Sequence, residues 1–440
     1  MIVKNPKTSK KLILKLLAEK PPAQGGTLIH LTKNILKKRS AILKLAKKYQ
    51  TPFYLFDQKE AKKSILEFKQ AFKKYLPDIQ IYYAMKSNHH PLLVKEVIKH
   101  GFNVDVSSGR ELELALKLGA KKMVFSGPAK SEAELKLAIK HRNKLIIHLD
   151  SFGELKRLGK LLKRGEQINA GVRIITKYHG HWSKFGIPLA DLKKFWLESK
   201  KYPGIKLHGI QSHMSFNQTA LPYQNMIKEI SGYLKNNFNY EMLAEIKFFD
   251  FGGGYYPSAI EADFPWELEQ GRLVKIAAEH FDKMPEFTGK YYVTKSATPD
   301  EFAKGISQAL KKYFEPVVKC QYFCEPGRII SNNSLHMVNR VVDIKNKTNA
   351  IMDGAINMLG VWEKYEDVYC PLVNLTHPDL KEIKFTFYGS LCTPYDIWGY
   401  YCYAKKISEG DVIILPFQGA YTYVFANEFI KPVPPTYILK

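Results

Sequence analysis

The side chain with the most chemical potential in this chain is Lys86, in the run Tyr82-Tyr83-Ala84-Met85-Lys86-Ser87-Asn88. Residues 78–85 are rich in β-branched and aromatic side chains, and Asn88-His89-His90-Pro91 breaks that run before a helical pattern at 92–99. Lys86 is therefore expected at the carboxyl end of a strand. An amine placed there, with an apolar wall behind it and a loop in front, sheds its proton more readily than a solvated lysine. It can then attack an aldehyde to form an imine. Taken alone, the segment reads equally well as a surface lysine in a lysine-rich chain.

Other residues narrow the choice. Gly252, Gly253 and Gly254 let backbone N–H groups close on an anion, although such a run also suits a tight turn. The segment Glu325-Pro326-Gly327-Arg328 offers a carboxylate and a cation together. Lys86, the glycines and Arg328 together point to a phosphate-bearing aldehyde, and pyridoxal 5'-phosphate meets both requirements. A carboxylate beside its ring nitrogen would hold a proton there, which is the task expected of Glu325; the competing reading is a surface turn. His213 is expected to stack on the ring face, with a satisfied core histidine as the alternative.

These residues need a scaffold that brings strand ends together. Strand-like and helix-like patterns alternate from residue 79 onward, with strands expected at 79–85, 102–106, 122–126, 144–149, 169–175, 206–213, 245–251 and 319–324. Eight such strands predict a closed (β/α)8 barrel, in which chemistry sits on the loops leaving the strand ends. Lys86, Asp105, Ser126, His213, the glycines and Glu325 all fall there. Residues 255–316 are long for one connection and are expected to form an insertion, with a well-capped helix starting near Thr298. After Arg328 the pattern changes to short alternating strands at 334–345, 350–353, 384–388 and 411–415, which read as a β-sandwich or β-barrel domain. The expected division is a basic segment at 1–50 that packs with the β domain, a barrel at 51–330 and the β domain at 331–440.

Composition excludes several classes. Five cysteines (Cys320, Cys324, Cys370, Cys392 and Cys402) show no disulfide-like or metal-ligand spacing, so a reduced, cytoplasmic protein without a metal is expected. No stretch approaches the roughly 20 apolar residues of a spanning helix, so no membrane role is expected. The formal charge of +25 invites a nucleic-acid reading. However, lysine greatly outnumbers arginine, and no basic tract is interleaved with stacking aromatics, so a solvated lysine-rich surface is favoured. The most basic segment, with Lys10, Lys11, Lys15, Lys37, Lys38 and Arg39, remains a contact for an acidic partner.

At this level of detail the chain resembles the fold-type III pyridoxal phosphate-dependent amino acid decarboxylases, which include ornithine, diaminopimelate, arginine and carboxynorspermidine decarboxylases. The resemblance runs from about Thr51 to the carboxyl terminus. Its first half rests on Tyr83-Ala84-Met85-Lys86-Ser87-Asn88, Asp105-Val106-Ser107-Ser108-Gly109-Arg110-Glu111-Leu112, Phe125-Ser126-Gly127-Pro128-Ala129-Lys130 and Lys184-Phe185-Gly186. It continues through His213, Asp250-Phe251-Gly252-Gly253-Gly254, Glu325-Pro326-Gly327-Arg328, Asp353-Gly354, Leu391-Cys392-Thr393-Pro394-Tyr395-Asp396 and Gly419-Ala420-Tyr421. It implies an alanine racemase-like barrel with a C-terminal β domain, Lys86 carrying the cofactor covalently, and His213 against its ring. It further implies that Asp105 and Glu325 contact the cofactor and that the three glycines, Arg328 and Tyr421 hold its phosphate. A homodimer with shared sites follows, in which Cys392 of one copy donates a proton in the site of the other. Thr393, Asp353 and Asp396 are the implied contacts of the substrate.

The chain also departs from the pattern. Diaminopimelate decarboxylases carry an Arg-Pro pair shortly after the equivalent of Asp353-Gly354, where this chain reads Ile356-Asn357-Met358-Leu359-Gly360-Val361. Ornithine decarboxylases place an acidic residue directly after the cysteine, where this chain has Thr393. The usual His-x-Gly-Ser phosphate contact becomes His213-Met214-Ser215-Phe216, with Ser215 or Asn217 as substitutes. The expectation is thus α-decarboxylation of a basic or polar amino acid in an atypical branch, in polyamine or specialised metabolism. Diaminopimelate decarboxylation, racemisation and a catalytically inactive regulator are the alternatives.

Overall fold

The computed structural model describes residues 25–179, 184–257, 262–263, 292–293, 296–360, 368–369, 371–394 and 396–440. Lys10, Lys11, Lys15, Cys370, Tyr395 and most of the insertion expected at 255–316 lie outside the described residues. The strands are β1 (Phe53–Asp57), β2 (Gln80–Ala84), β3 (Asn103–Val106), β4 (Met123–Phe125), β5 (Leu145–Leu149), β6 (Ile168–Ile175), β7 (Ile205–Gln211), β8 (Phe248–Asp250) and β9 (Gln321–Cys324) in the first part of the chain. Strands β2 to β9 run parallel in the order β5-β4-β3-β2-β9-β8-β7-β6. Pairing of β5 with β6, through Ile147 and Ala170, closes the barrel. All eight expected barrel strands are present.

The outer helices form for legible reasons. Helix Gln58–Tyr75 buries Ala61, Ile65, Phe68, Ala71 and Phe72 on one stripe, and the side chain of Asp57 caps it by accepting from the Glu60 N–H. Ser131 and Glu134 form a reciprocal capping box on helix Glu132–Lys140. Thr298 and Glu301 do the same on helix Pro299–Ala309, as the sequence leads one to expect.

Alternation along each strand sorts the lumen into layers. A lower layer of Tyr82, Val124, Phe248 and Phe323, with Ile146 packed against it, plugs the barrel. Phe248 and Phe323 stack with centroids 4.7 Å apart. A Cβ on Gly209 would sit 2.1 Å from the Phe248 ring, so that position must be glycine for the plug to close. Two residues further along the same faces come Ala84, Ser126, His148, Arg173, Gln211, Asp250 and Glu325.

The second domain comprises β10 (Leu335–Asn346), β11 (Asn349–Met352), β12 (Leu372–Asn374), β13 (Glu382–Tyr388), β14 (Ile397–Tyr403), β15 (Val412–Leu415) and β16 (Thr436–Leu439). Its sheet runs β11-β13-β14-β12-β15-β10 and closes through β11 with β10, with β1 and β16 continuing beyond β10. Strand β1 therefore belongs to this sheet, not to the barrel whose sequence span contains it. Phe53 pairs with Val338 and Tyr54 with Thr436. All five β1 residues are buried, so the segment shows no alternation to distinguish it from a barrel strand.

The amino-terminal helices Gly25–Leu36 and Arg39–Lys48 lie on the β domain. Ile35, Ile42 and Ala46 pack with Leu55, Val338, Val373 and Ile414. Arg39 donates to the carbonyls of Leu375 and Thr376. Lys38 reaches Asp57 at 2.7 Å and Glu60 at 2.9 Å, so its charge ties this segment to the start of the barrel. Among the described residues no helix is long and apolar enough to cross a membrane.

Candidate active site

Lys86 lies in a short turn, Met85–Ser87, at the end of β2, with its side chain about one-third exposed. Its Nζ is 3.5 Å from Oδ2 of Asp105 at the end of β3. Burial opposes the lysine charge, but Asp105, Glu325 and Tyr421 outweigh it and raise the ammonium above its ordinary value. This corrects the expectation that Lys86 sheds its proton easily: carboxylates at neighbouring strand ends hold it on. Asp105 in turn accepts from the Ser126 hydroxyl. Burial and the charge of Glu325 raise its carboxyl to about 6, against the pull of Lys86.

Glu325 is 1 % exposed and directly follows β9. Gln211 donates to it at 3.3 Å, and His213 Nδ1 stands 3.6 Å from its Oε2. The Gly253 N–H donates to that same Nδ1 at 3.0 Å, so the ring proton belongs on Nε2. Burial, helped by Lys86 and Arg173, lowers the His213 pKa well below the usual histidine value. The imidazole is thus neutral at pH 7 and suited to lie against a ring.

The glycine turn is over-determined by its surroundings. Asp250 accepts from the Gly252 N–H at 2.9 Å. A Cβ on Gly253 would meet the Glu325 carbonyl at 2.1 Å, and one on Gly254 the Met214 carbonyl at 1.8 Å. Gly252 and Gly254 also have positive φ, of 72° and 88°. Arg328 places its guanidinium 5.0 Å over the Tyr421 ring. Tyr421 is anchored to the lysine turn by its N–H, which donates to the Ser87 carbonyl at 2.8 Å. One cavity of about 270 Å³ is lined among others by Lys86, His213, Gly254, Glu325, Arg328 and Tyr421; Asp105, Gly252 and Gly253 are not among its lining residues. Ser215 lines it too, whereas Asn217 spends its amide on the Met214 carbonyl, so Ser215 is the better substitute for the altered phosphate contact.

Not every implied residue converges on this cavity. Asp353 accepts from the Thr51 hydroxyl and the Arg340 N–H, and Asp396 accepts from the N–H groups of Ile356 and Leu391. Both carboxylates are held at turns of the β domain and neither borders the cavity of its own chain. Cys392 is an exposed free thiol and Thr393 lies beside it; neither borders the cavity.

Sequence reasoning missed three participants. Arg173 on β6 lies 4.5 Å over the Phe185 ring and 3.9 Å from Asp150, which explains the Lys184-Phe185-Gly186 motif as a clamp on that guanidinium. Glu111 accepts from the Ser107 N–H at 2.7 Å, and burial raises its carboxyl to about 7. It lines a second cleft that shares Lys86 and Tyr421 with the first. His148 is the third. Arg173 and His148 were findable as the lumen-facing residues two places beyond the barrel plug. Although no metal-ligand spacing is present in the sequence, His148, Asp250 and Glu325 bring ligand-type atoms within 4.8 Å of one another.

A barrel whose rim presents a lysine, a glycine cradle backed by an arginine, and a buried carboxylate across a neutral imidazole is built for a phosphate-bearing aldehyde held by an amine. The family model described as "Pyridoxal-dependent decarboxylase, pyridoxal binding domain" matches residues 62–332. The chain belongs to that family, and its cofactor is pyridoxal 5'-phosphate. Curated diaminopimelate decarboxylases of Aquifex aeolicus and Helicobacter pylori (strain J99) are 24 % and 26 % identical over 88 % and 87 % of this chain, and 86 % and 88 % of their own. Two solved structures share the fold. The Helicobacter pylori diaminopimelate decarboxylase complexed with L-lysine has a TM-score of 0.73 at 23 % identity and covers 91 % of this chain and 94 % of its own. The Vibrio vulnificus lysine/ornithine decarboxylase complexed with putrescine has a TM-score of 0.71 at 19 % identity, covering 92 % and 98 %.

The residues present fit the cofactor: Lys86 would hold its aldehyde carbon, the glycine turn with Arg328, Tyr421 and Ser215 its phosphate, and Glu325 its ring nitrogen. Once bound, it supplies a ring that accepts the electron pair left when the α-carboxylate departs. The protein's part is electrostatic. Asp105 holds a proton at Lys86, Gln211 orients Glu325, and neutral His213 would cover a face without adding charge.

Proposed function

We propose that the enzyme removes the α-carboxylate of an amino acid with a basic or otherwise polar side chain, releasing an amine and carbon dioxide. The observation that carries this reading is the convergence of Lys86, Glu325, His213 and the glycine turn on one cavity at the barrel rim. The exposed Cys392 thiol supports a homodimer in which this group serves the partner's site as proton donor. The reaction then belongs to amino acid or polyamine metabolism, in the cytoplasm.

Diaminopimelate decarboxylation is the second reading, favoured by the names of the curated relatives. Against it stands the segment after Asp353-Gly354, where Ile356, Asn357 and Met358 form a buried turn and supply no arginine for a distal carboxylate. The test is carbon dioxide release, with the amine identified by mass spectrometry, from the protein with pyridoxal phosphate. The substrate panel holds both enantiomers of ornithine, lysine and arginine, together with diaminopimelate and carboxynorspermidine. Turnover of a basic amino acid is the expected result. Turnover of diaminopimelate alone would favour the second reading, and absence of bound cofactor would point to an inactive regulator.

A further inference from the structure

In the polar layer that holds Glu325, just above the aromatic plug, His148 has no task in the account so far. His148 shares the lumen face of β5 with Ile146 and is fully buried, yet neither ring nitrogen has a hydrogen-bond partner. Leaving such atoms unpaired is costly. Nδ1 lies 3.7 Å from Glu325 Oε1, and Nε2 lies 3.9 Å from Asp250 Oδ2. The imidazole therefore bridges two buried carboxylates, each just beyond hydrogen-bond length. Asp250 Oδ2 is itself unpartnered, while Oδ1 is occupied by the Gly252 N–H.

The charges facing this line decide where its protons sit. Lys130 donates to the His148 carbonyl at 2.7 Å and to Glu154 at 2.8 Å. Arg173 approaches from β6, Lys86 and Asp105 from β2 and β3, and His213 and Gln211 from the end of β7. Tyr255 and Cys324 flank Asp250. Burial lowers the His148 pKa to about 4; Glu325 opposes this, and Lys130, Arg173 and Lys86 reinforce it. The ring is therefore neutral at pH 7, with one N–H to give and one lone pair to fill. Burial and the Glu325 charge push the Asp250 carboxyl well above the usual carboxylate range, which makes it the acid that can fill that lone pair.

We propose that Asp250, His148 and Glu325 form a proton-ordered line, in which the Asp250 carboxylic acid donates to His148 Nε2 and His148 Nδ1–H donates to Glu325 Oε1. The line fixes the orientation of Glu325, the residue that would hold the cofactor's ring nitrogen. His148 and Asp250 are positioning residues that act through Glu325, so the inference rests on the assignment of Glu325 made above. No covalent bond changes other than the sharing of these two protons.

The first test uses the wild-type protein without cofactor. Nitrogen-15 NMR of labelled histidine should show, at pH 7, a neutral His148 protonated on Nδ1. A ring protonated on Nε2 alone, or charged at pH 7, would overturn the proposal. The second test follows the absorbance of bound cofactor against pH in His148→Asn. The midpoint should move by about one unit, and the dissociation constant of pyridoxal phosphate should rise about tenfold, the scale seen when support behind a ligating group is lost. An unchanged midpoint contradicts the line. A stoichiometric metal ion in the wild type that is lost in His148→Asn would also contradict it, because the three side chains would then be ligands. If that variant does not fold, the wild-type tautomer decides alone. Failure of the wild type to bind cofactor while the tautomer is as expected would instead remove the role of Glu325 and spare the line.

Discussion

The two layers of the barrel lumen are separated by two residues along each strand and obey opposite rules. The lower layer is aromatic and closed, with Phe248 stacked on Phe323 and glycine at 209 to admit the ring. The upper layer crowds Asp105, His148, Arg173, Gln211, Asp250 and Glu325 together, with Lys86 just beyond it in the turn after β2. It leaves Asp105 Oδ2, both His148 nitrogens, Gln211 Oε1 and Asp250 Oδ2 without hydrogen bonds. Native interiors tolerate few such atoms, and those that persist concentrate where charge is used. The plug supplies stability; the layer above it forgoes stability in exchange for a field that can hold a charged ring and its phosphate.

That contrast can be broken from either side. Lys86→Ala should have the largest effect, with the bound chromophore lost and carbon dioxide release reduced to background, while the melting temperature stays near that of the unloaded wild type. Glu325→Gln should still allow covalent attachment but lower turnover by roughly 10²–10³-fold, the scale of removing one preorganised electrostatic group. Phe248→Ala in the plug should do the reverse. It should cost about 3–5 kcal/mol of stability by denaturant titration, as large-to-small core changes do, and leave the pH dependence of the cofactor spectrum unmoved.

Smaller effects sharpen the boundary between the layers and the β domain. Asp396→Asn should cost about 1–3 kcal/mol of stability, because two buried N–H groups depend on its oxygens, with the Michaelis constant unchanged. A large rise in that constant would mark Asp396 as a substrate contact. Glu111 gives a pH signature. Its carboxyl is raised in the folded protein to about 7 from an ordinary 4.5, so folded wild type is penalised when the group ionises. The wild type gains stability as pH falls through about 7 toward 4.5. Glu111→Gln lacks that gain, so its melting temperature relative to wild type should be higher at pH 8 than at pH 5.

Much of the scaffold is legible in the sequence because a parallel barrel announces itself by alternating strand and helix patterns, and because each helix carries its cap. The rim residues Lys86, His213, Gly252, Gly253, Gly254, Glu325 and Arg328 are readable from their placement at strand ends. Strand β1 was not, since a segment buried on both faces carries no period that says which sheet it joins. The proton balance of Lys86 was not legible either, because the carboxylates that raise it, Asp105 and Glu325, lie 19 and 239 residues away in the chain. His148 and Asp250 escaped for the same reason: what matters about each is its distance to Glu325, which only the closed barrel sets. The partners of Asp353 and Asp396 were hidden likewise: the Thr51 hydroxyl and the N–H groups of Arg340, Ile356 and Leu391 reach these carboxylates only in the folded β domain.

The most direct measurement of the central claim is borohydride reduction of the protein loaded with pyridoxal phosphate, followed by proteolysis and mass mapping of the labelled peptide. A single reduced adduct on Lys86 is the expected result. An adduct on another lysine, or no adduct on a protein that still releases carbon dioxide from an amino acid, would contradict the placement of the reaction at the barrel rim.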